Sequence, residues 1–313
     1  MLIRTFRNDD LLQLHRLWGE HWKFAGLTSQ CSVRQLEQGI LSRIFFEPKD
    51  LLVAAVDGHL VGWLHRSKTD EVVNTLVIPT VVAGAGNHGL TRAAILKGLL
   101  EAAISEATTA GARVQLGVGD DMTHGYGGMD PLGPGVGVLE SDRDLLEVAE
   151  EIGLMPTSRF TLMEASVADF RFPMNRDFMQ VRRITQTRYT VSSVGEGRRS
   201  QAASHLDPKR ISLIGAGGIE KCHLNFYLSD QHAEVMQPYR CMVRLDRAMQ
   251  EEGMDSEALY LLASLVRDAA SHQLRYVDLT VEADGERFVI DQLRSLQFKR
   301  VRTGAIWVKE AVS

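Results

Sequence analysis

The chain has 313 residues, of which 44% are hydrophobic and 24% charged, and its formal net charge is -5. This length is sufficient for two domains, each with a full apolar core. The mildly acidic balance gives no general attraction to a polyanion, so nucleic acid is not expected as the main partner.

The cysteines and the N-terminal residues indicate a cytoplasmic protein. Cys31, Cys222 and Cys241 form no CxxC pair, which argues against a disulfide framework and against a zinc ribbon. The opening MLIRTFRNDD is charged too early for a secretion signal. No apolar run approaches the roughly eighteen residues that span a bilayer, so we expect no membrane association.

The first half of the chain is predicted to be an α/β unit. A short N-terminal strand precedes two helices, the second capped by Ser32. Two apolar runs joined by Asp57-Gly58 indicate a tight hairpin, and residues 72–78 form a further strand. A helix from Arg92 to Ala110 and the strand ARVQLGV follow, and this order of strand, crossover helix and strand indicates parallel pairing.

A long glycine-rich loop follows this unit. Residues 119–139 contain seven glycines and two prolines, a composition that excludes regular structure and is typical of functional or disordered loops. Ser141 or Asp142 then caps a helix, and RFTLMEA is predicted to be a closing strand.

The second half repeats the order of helix, strand, helix and strand. We therefore predict a mixed α/β fold with two related domains. They comprise residues 1–166 and 178–313, with a linker at residues 167–177.

Two glycine clusters are candidate phosphate loops. RISLIGAGGIEKC, residues 210–222, superficially matches a dinucleotide fingerprint, but Glu220 stands where the third small residue belongs and the following residues indicate a strand. A hairpin turn is the favoured interpretation there. This context also argues against a nicotinamide oxidoreductase.

The cluster in VVAGAGNHGLTR, residues 81–92, has a better context because it leaves a strand and enters a helix. The amides of the loop and of the first helical turn can converge on an anion there, with a hydroxyl from Thr91 and a charge from Arg92. An ordinary strand-to-helix turn is the alternative. The predicted cofactor-binding residues in this cluster are Gly84, Gly86, Asn87, His88, Gly89, Leu90, Thr91 and Arg92.

The order of these elements resembles the GNAT acetyltransferases, which bind acetyl-CoA. The resemblance rests on IRTFRNDDLLQL, LVAAVDGHLVGW, LVIPTVV, GNHGLTRAAILKGLL, ARVQLGV and LLEVAEEIGL in the first half, and on VIDQLRSLQF and GAIWVKEA in the second. It implies a tandem GNAT protein with acetyl-CoA or another acyl-CoA in the first half. The second half carries Glu251, Glu252 and Asp255 where an anion should dock, so we expect no CoA there.

The resemblance also implies catalytic roles. In similar enzymes a backbone N–H at the end of the strand before the loop stabilises the oxyanion, which corresponds to Val77 or Ile78. The carboxylate base corresponds to Glu71, for which a solvated charge at the strand entry is the alternative. The family's tyrosine acid is replaced by Ala149, so the thiolate takes its proton from another group or leaves unaided.

Polar residues of the glycine-rich loop are candidates for the acceptor site. Asp120, Asp121, His124 and Tyr126 follow a strand at the edge where open α/β sheets collect ligands. They bind an amine substrate or supply a proton, or they are ordinary polar loop residues. No metal site is expected, because the other histidines lack ligand spacing.

Two functions follow from these observations. The first is an N-acetyltransferase that transfers an acyl group from acyl-CoA to an amine of a small molecule or a peptide. The alternative is a non-catalytic CoA-binding or scaffold protein with the same fold.

Overall fold

A computed structural model describes residues 1–68, 75–86, 89–119, 124–193, 197–282 and 287–311. Its helices are α1 Leu11–Phe24, α2 Val33–Leu36, α3 Arg92–Thr109, α4 Arg143–Glu151, α5 Arg176–Ile184, α6 Gly197–Ala202, α7 Arg247–Glu251, α8 Ser256–Ala269 and α9 Arg287–Ser295. Its strands are β1 Leu2–Thr5, β2 Leu51–Val56, β3 His59–Lys68, β4 Thr75–Ala83, β5 Arg113–Leu116, β6 Val138–Leu139, β7 Met155–Ser166, β8 Gln186–Val191, β9 Leu206–Ile214, β10 Glu220–Ser229, β11 Arg240–Arg244, β12 Tyr276–Glu282 and β13 Lys299–Lys309.

Within the described residues, these strands form one mixed sheet. Its order is β1-β2-β3-β4-β5-β13-β7-β12-β11-β10-β9-β8, and β6 pairs with β13 beyond the end of β5. β4 and β5 are parallel, as are β11 and β12, whereas the other neighbours are antiparallel. The predicted mixed α/β fold is confirmed.

Local sequence signals determine the turns of both halves. The β2–β3 hairpin turns at Asp57 and Gly58, with φ of 49° and 80°. Glycine adopts the positive φ of Gly58 without steric cost. The β9–β10 hairpin turns through residues 215–219, with Gly217 at φ 71°. The second glycine cluster is therefore a hairpin turn, as its sequence context predicted.

The crossover between β4 and β5 begins at a capped helix end. Thr91 precedes α3, and its hydroxyl accepts a hydrogen bond from the amide of Ala94 at 3.1 Å. The helix ends at Thr109, and Gly111 then turns the chain at φ 61° into β5.

Two apolar cores cover opposite faces of the first half of the sheet. α3 and α4 pack on one face, where Leu96, Leu99 and Leu145 are buried. α1 and α2 pack on the other face, around the buried rings of Trp18 and Trp63. In the second half, α5, α8 and α9 bury a third core.

The two halves exchange strands at the centre of the sheet. β13 of the second half lies between β5 and β7, with Trp307 opposite Leu116 and Gly304 opposite Phe160. β7 in turn pairs with β12 of the second half, with Val277 opposite Ala165. The sheet passes through both halves without a break, and the predicted domain boundaries stay a prediction.

Candidate functional site

The sheet opens between β4 and β5. The parallel pairing ends where the Gly117 amide donates to the Ile78 carbonyl at 2.9 Å. Gly117 then has φ 86°, which turns the chain out of the sheet, while β4 continues to Ala83. Because β6 pairs with β13 and not with β4, none of the described strands pairs with β4 beyond Ile78 on this side, and we call this place the β4–β5 opening.

A bulge in β4 lies at the base of this opening. His65 is opposite Thr80 and Ser67 is opposite Val77, so β4 has one extra residue at Ile78-Pro79. Proline is tolerated at a bulge, because no ladder hydrogen bond is required there. The bulge therefore places a residue without an N–H at the point where the strands separate.

The bulge also turns the backbone beyond it towards the opening. The Gly84 amide donates to the Val61 carbonyl at 3.0 Å, which makes this a hydrogen-bonded pair of the β3–β4 ladder. Antiparallel pairs alternate, so the peptide groups of Val81 and Ala83 point away from β3. They face the β4–β5 opening, where no described strand pairs with them.

The glycine loop folds closely against the start of α3. A Cβ on Gly86 would collide with the carbonyl oxygen of Leu90 and lie 3.2 Å from the Arg92 nitrogen. Only glycine permits this approach. The predicted residues Asn87 and His88 of this loop lie outside the described residues.

The Arg92 side chain is engaged by carboxylates. It is 6% exposed, and its Nη1 donates to Asp142 at 2.9 Å and to Asp144 at 2.8 Å, while Nη2 donates to Asp142 at 3.1 Å. Asp142 also caps α4, accepting from the Leu145 amide. The Arg92 charge is thus neutralised by carboxylates of the protein, so its side chain is already engaged. The Arg92 backbone amide remains a predicted contact to the cofactor.

His21 of α1 completes this cluster from the other face of the sheet. Arg92 Nη2 donates to His21 Nδ1 at 2.8 Å, so the proton of the neutral ring is on Nε2, 3.4 Å from Asp142. Burial lowers the pKa of His21 to about 4, with Asp142 raising it and Arg92 lowering it. We call His21, Arg92 and Asp142 the α1–α3–α4 cluster.

A small cavity lies at the base of the opening. Its volume is about 20 Å³, and Pro79, Val118, Gly119, His124 and Tyr126 line it together with residues of the glycine-rich loop. A cavity of this size holds one water molecule. Of the residues predicted for the acceptor site, the structure brings His124 and Tyr126 together here.

Hydrogen bonds fix both of these side chains. His124 Nδ1 lies 3.0 Å from Ser67 Oγ, and Ser67 also accepts from Nη2 of Arg198 on α6. Tyr126 Oη lies 2.9 Å from His65 Nδ1, and burial raises the pKa of Tyr126 well above its ordinary value. Burial lowers the pKa of His65 to about 3, and His124, Arg198 and Arg66 add to this effect.

The second half holds the glycine-rich loop in place. His205 Nε2 donates to the Gly127 carbonyl at 2.6 Å, and Thr280 Oγ1 donates to the Gly135 carbonyl at 3.0 Å. Arg302 of β13 donates to the Pro131 carbonyl. The loop therefore belongs to the interface of both halves.

The corresponding opening in the second half is closed. Beyond the end of β11, Gln250 of α7 donates to the Leu245 carbonyl at 3.3 Å and accepts from the Glu282 amide at 3.2 Å. The side chain thus bridges the two diverging strands. Asp246 and Asp255 cap α7 and α8, so the helix ends here carry carboxylates.

The remaining predicted residues are placed as follows. Val77 and Ile78 are buried where β4 pairs with both neighbours, below the opening. Ala149 lies on α4 and is fully buried in the core that this helix covers. Glu71, Asp120 and Asp121 lie outside the described residues.

Ser67 and Arg198 contact the site but were not predicted from the sequence. Ser67 ends an apolar strand, and Arg198 lies in the second half, so no local pattern connects either with His124.

The part of the chain that the structure describes contains no group of three or more His, Cys, Asp or Glu side chains placed to hold a metal ion. Within the same residues, no helix is long and apolar enough to cross a bilayer.

Searches by sequence gave no match to a protein-family profile or to a curated protein. Solved structures do match. A GCN5-related N-acetyltransferase from Sphaerobacter thermophilus is 11% identical, with a TM-score of 0.66 over 100% of this chain and 96% of that chain. A tandem GNAT protein from the clavulanic acid biosynthesis pathway is 13% identical, with a TM-score of 0.63 over 100% and 99%.

A third similar structure is the GCN5-related glucosamine N-acetyltransferase region of a fungal multi-domain GH3 β-N-acetylglucosaminidase. It is 13% identical, with a TM-score of 0.67 over 98% of this chain and 38% of that chain. At such identities a structural likeness defines the fold. The predicted resemblance is confirmed at that level, and the chain has the fold of a tandem GNAT protein.

Proposed function

We propose that the protein is an N-acyltransferase that transfers the acyl group of acetyl-CoA, or of another acyl-CoA, to an amine of a small molecule or peptide. The observation that carries the proposal is the β4–β5 opening, with a bulge at its base and the capped start of α3 at its end. An open strand edge next to a helix N-terminus suits a long polar chain that ends in phosphates.

The residues present fit such a ligand in the first half. The peptide groups of Val81 and Ala83 would pair with the amides of the pantetheine arm. The pyrophosphate would lie on the backbone amides of the loop and of the first turn of α3, where Gly86 allows a close approach. Backbone amides supply this site, because the Arg92 charge is neutralised by Asp142 and Asp144.

The reaction needs few side chains. Bound acyl-CoA supplies a thioester, an acyl group that an amine can attack. A bond forms between the amine nitrogen and the acyl carbon, the carbon–sulfur bond breaks, the amine loses a proton and the thiolate gains one. We keep Glu71 as the proposed base, with the proton reaching the sulfur through solvent.

The acceptor would bind on the face of the glycine-rich loop, near His124 and Tyr126. A cavity of about 20 Å³ holds a water molecule and no amine substrate, so the acceptor would bind outside the cavity, against the described residues of this loop. Because Arg302, Thr280 and His205 hold the loop, the second half would shape the acceptor site.

The similar structures support this reaction class. Two of them are named N-acetyltransferases, one of them for glucosamine, and the tandem GNAT protein was solved in a form without AcCoA. Acetyl transfer to an amine is the chemistry that these names share.

The second candidate is a non-catalytic CoA-binding or scaffold protein. Two observations favour it: Pro79 offers no N–H at the bulge, and the α1–α3–α4 cluster lies at the upper end of the opening. A site without such an N–H donor would bind acyl-CoA and transfer nothing, or would bind no acyl-CoA.

Thermal unfolding with acetyl-CoA and with NAD separates these functions. At a hundredfold excess over the dissociation constant, a bound ligand stabilises the protein by about 2.7 kcal/mol. We expect stabilisation by acetyl-CoA alone, one site per chain in a calorimetric titration, and thiol release when amines are added. Binding without thiol release from any amine would favour the scaffold, and no binding of any acyl-CoA would reject the enzyme.

A further inference from the structure

We propose that His124 donates the hydrogen bond that stabilises negative charge on the acyl oxygen, and that Ser67 and Arg198 set the tautomer that makes His124 a donor. This inference rests on the proposed acyl transfer. It assigns one catalytic residue and two positioning residues, one of which comes from the other half of the chain.

Pro79 leaves the bulge without a backbone donor, and the peptide groups of Val81 and Ala83 would pair with the pantetheine arm, so a side-chain donor is required at the base of the opening. Acyl transfer places negative charge on the carbonyl oxygen, and a donor close to that oxygen is the largest contribution that a site can make. The bulge at Ile78-Pro79 lies where the strands separate, and proline has no N–H to offer. Ile78 is still paired with β5, since its carbonyl accepts from Gly117.

His124 is placed to replace the missing N–H. It lines the same small cavity as Pro79, at the base of the β4–β5 opening. The ring is 2% exposed, so a hydrogen bond that it makes there is not weakened by bulk water. Tyr126 lines the cavity as well, but its hydroxyl is engaged by His65.

The contacts of Ser67 determine which nitrogen of His124 carries the proton. A guanidinium only donates, so Ser67 Oγ accepts the hydrogen bond from Arg198. Ser67 is 2% exposed, and its other contact among the described residues is His124 Nδ1, at 3.0 Å. A buried hydroxyl that donates to nothing loses its hydrogen bond to water without replacement, so the Ser67 proton points to Nδ1.

The tautomer of His124 follows from this arrangement. Nδ1 accepts from Ser67 and carries no proton, so the single proton of the neutral ring is on Nε2. The nitrogen that does not contact Ser67 is therefore the donor. With the opposite tautomer the ring would offer a lone pair, which repels an oxyanion.

Arg198 makes this arrangement depend on the second half. It lies on α6, and its guanidinium also stacks on the Phe45 ring of the first half at 4.6 Å. The stacking holds the guanidinium over Ser67. A side chain of the second half thus controls a proton position in the first.

His124 itself neither gains nor loses a proton in the step that it assists; the amine proton goes to the base, and the leaving sulfur takes one from solvent. As the amine nitrogen bonds to the acyl carbon, the carbonyl electrons move to the oxygen, which accepts the Nε2–H hydrogen bond. The carbon–sulfur bond then breaks, the carbonyl re-forms, and the thiolate leaves as before. His124 keeps its proton on Nε2 throughout.

Steady-state kinetics of His124→Leu and His124→Gln test the catalytic role. We expect His124→Leu to lower kcat by a factor of about 10²–10³ while acetyl-CoA affinity stays within threefold of wild type. His124→Gln retains an N–H donor and should recover part of the rate. His232→Gln, an exposed histidine of the second half, is the matched control.

Nitrogen-15 NMR of histidine-labelled protein tests the positioning residues. We expect His124 protonated on Nε2 alone in wild type and a mixture of tautomers in Ser67→Ala, with the same direction of change in Arg198→Met. A merely structural role of Ser67 would lower stability and leave the tautomer unchanged. An Nδ1-protonated His124 in wild type would overturn the proposal.

The outcomes separate this inference from the proposed function. Transfer by wild type together with an unimpaired His124→Leu counts against the role of His124 alone. A wild-type chain that transfers no acyl group to any amine counts against the enzyme function and removes this inference with it.

Discussion

Arg92 at the start of α3 and Asp142 at the cap of α4 form a buried ion pair with two parallel hydrogen bonds, 2.9 and 3.1 Å long. Together with His21 they connect helices from both faces of the sheet at the end of the β4–β5 opening. The guanidinium that the sequence predicts to bind a phosphate therefore stabilises the packing of these helices.

Loss of this guanidinium should be strongly destabilising. Arg92→Met leaves the 2% exposed Asp142 without its cation, and breaking a buried pair costs about 3–5 kcal/mol. Urea unfolding followed by circular dichroism measures the change. Arg143→Met removes an exposed arginine beside the same helix start and should cost less than about 1 kcal/mol. Equal losses in both variants would contradict the structural role of the pair.

Mild acid should destabilise the protein through buried neutral histidines. Burial lowers the pKa of His21 and His205 to about 4 and that of His65 to about 3. Their unfolded pKa is about 6.5, so the unfolded state binds more protons below that pH. The stabilisation is complete above pH 6.5 and falls by up to about 1.4 kcal/mol per pH unit for each histidine as the pH drops towards 4.

The buried carboxyl of Asp278 has the opposite effect on stability over part of this pH range. Burial raises the pKa of Asp278 to about 6, and Arg240 opposes the shift. The folded state then binds the extra proton, so this group favours folding as the pH falls from 6 towards 4. Because three histidines oppose one carboxyl, stability measured by urea unfolding should still decrease from pH 7 to pH 5. His65→Gln should make this decrease shallower.

Gly86 should be required for the binding of acyl-CoA. Gly86→Ala places a methyl group against the Leu90 carbonyl and the first turn of α3, which moves the loop amides away from a phosphate. We expect thermal stabilisation by acetyl-CoA to disappear. Gly19→Ala is the control, since Gly19 lies outside this loop and a Cβ there would meet no atom within 4 Å. If Gly86→Ala binds as wild type does, the phosphates lie elsewhere.

Gly19 offers a stabilising substitution that leaves the site unchanged. It lies inside α1, where a Cβ would meet no atom within 4 Å. Alanine in a helix interior is favoured over glycine by about 0.5–1 kcal/mol. Gly19→Ala should therefore raise the free energy of unfolding by this amount, with acetyl-CoA binding unchanged. A lower melting temperature would show that α1 has a close neighbour in solution.

Features encoded by neighbouring residues were predictable from the sequence. The turn at Asp57-Gly58, the hairpin in the second glycine cluster and the cap of α4 each depend on residues within one turn of the chain. The strand exchange was not predictable, because the period of β13 defines a strand but not its partners. The bulge at Pro79 was missed for a related reason, since it is defined by the register against β3.

The candidate site was also only partly predictable from the sequence. His124 and Tyr126 were identified because polar residues followed a strand at the edge of a sheet. Their hydrogen-bond partners Ser67 and His65 come from β3, and Arg198 comes from the other half. Such contacts depend on tertiary packing, which one sequence does not reveal.

The place of β13 between β5 and β7 also concerns how the protein is made. Leu116 pairs with Trp307, which is synthesised only after most of the second half. Until then β5 is an edge strand and β7 lacks both of its neighbours, β13 and β12, and contacts so distant in sequence form slowly. We therefore expect the first half to mature only after β13 has been synthesised, in one cooperative step with the second half.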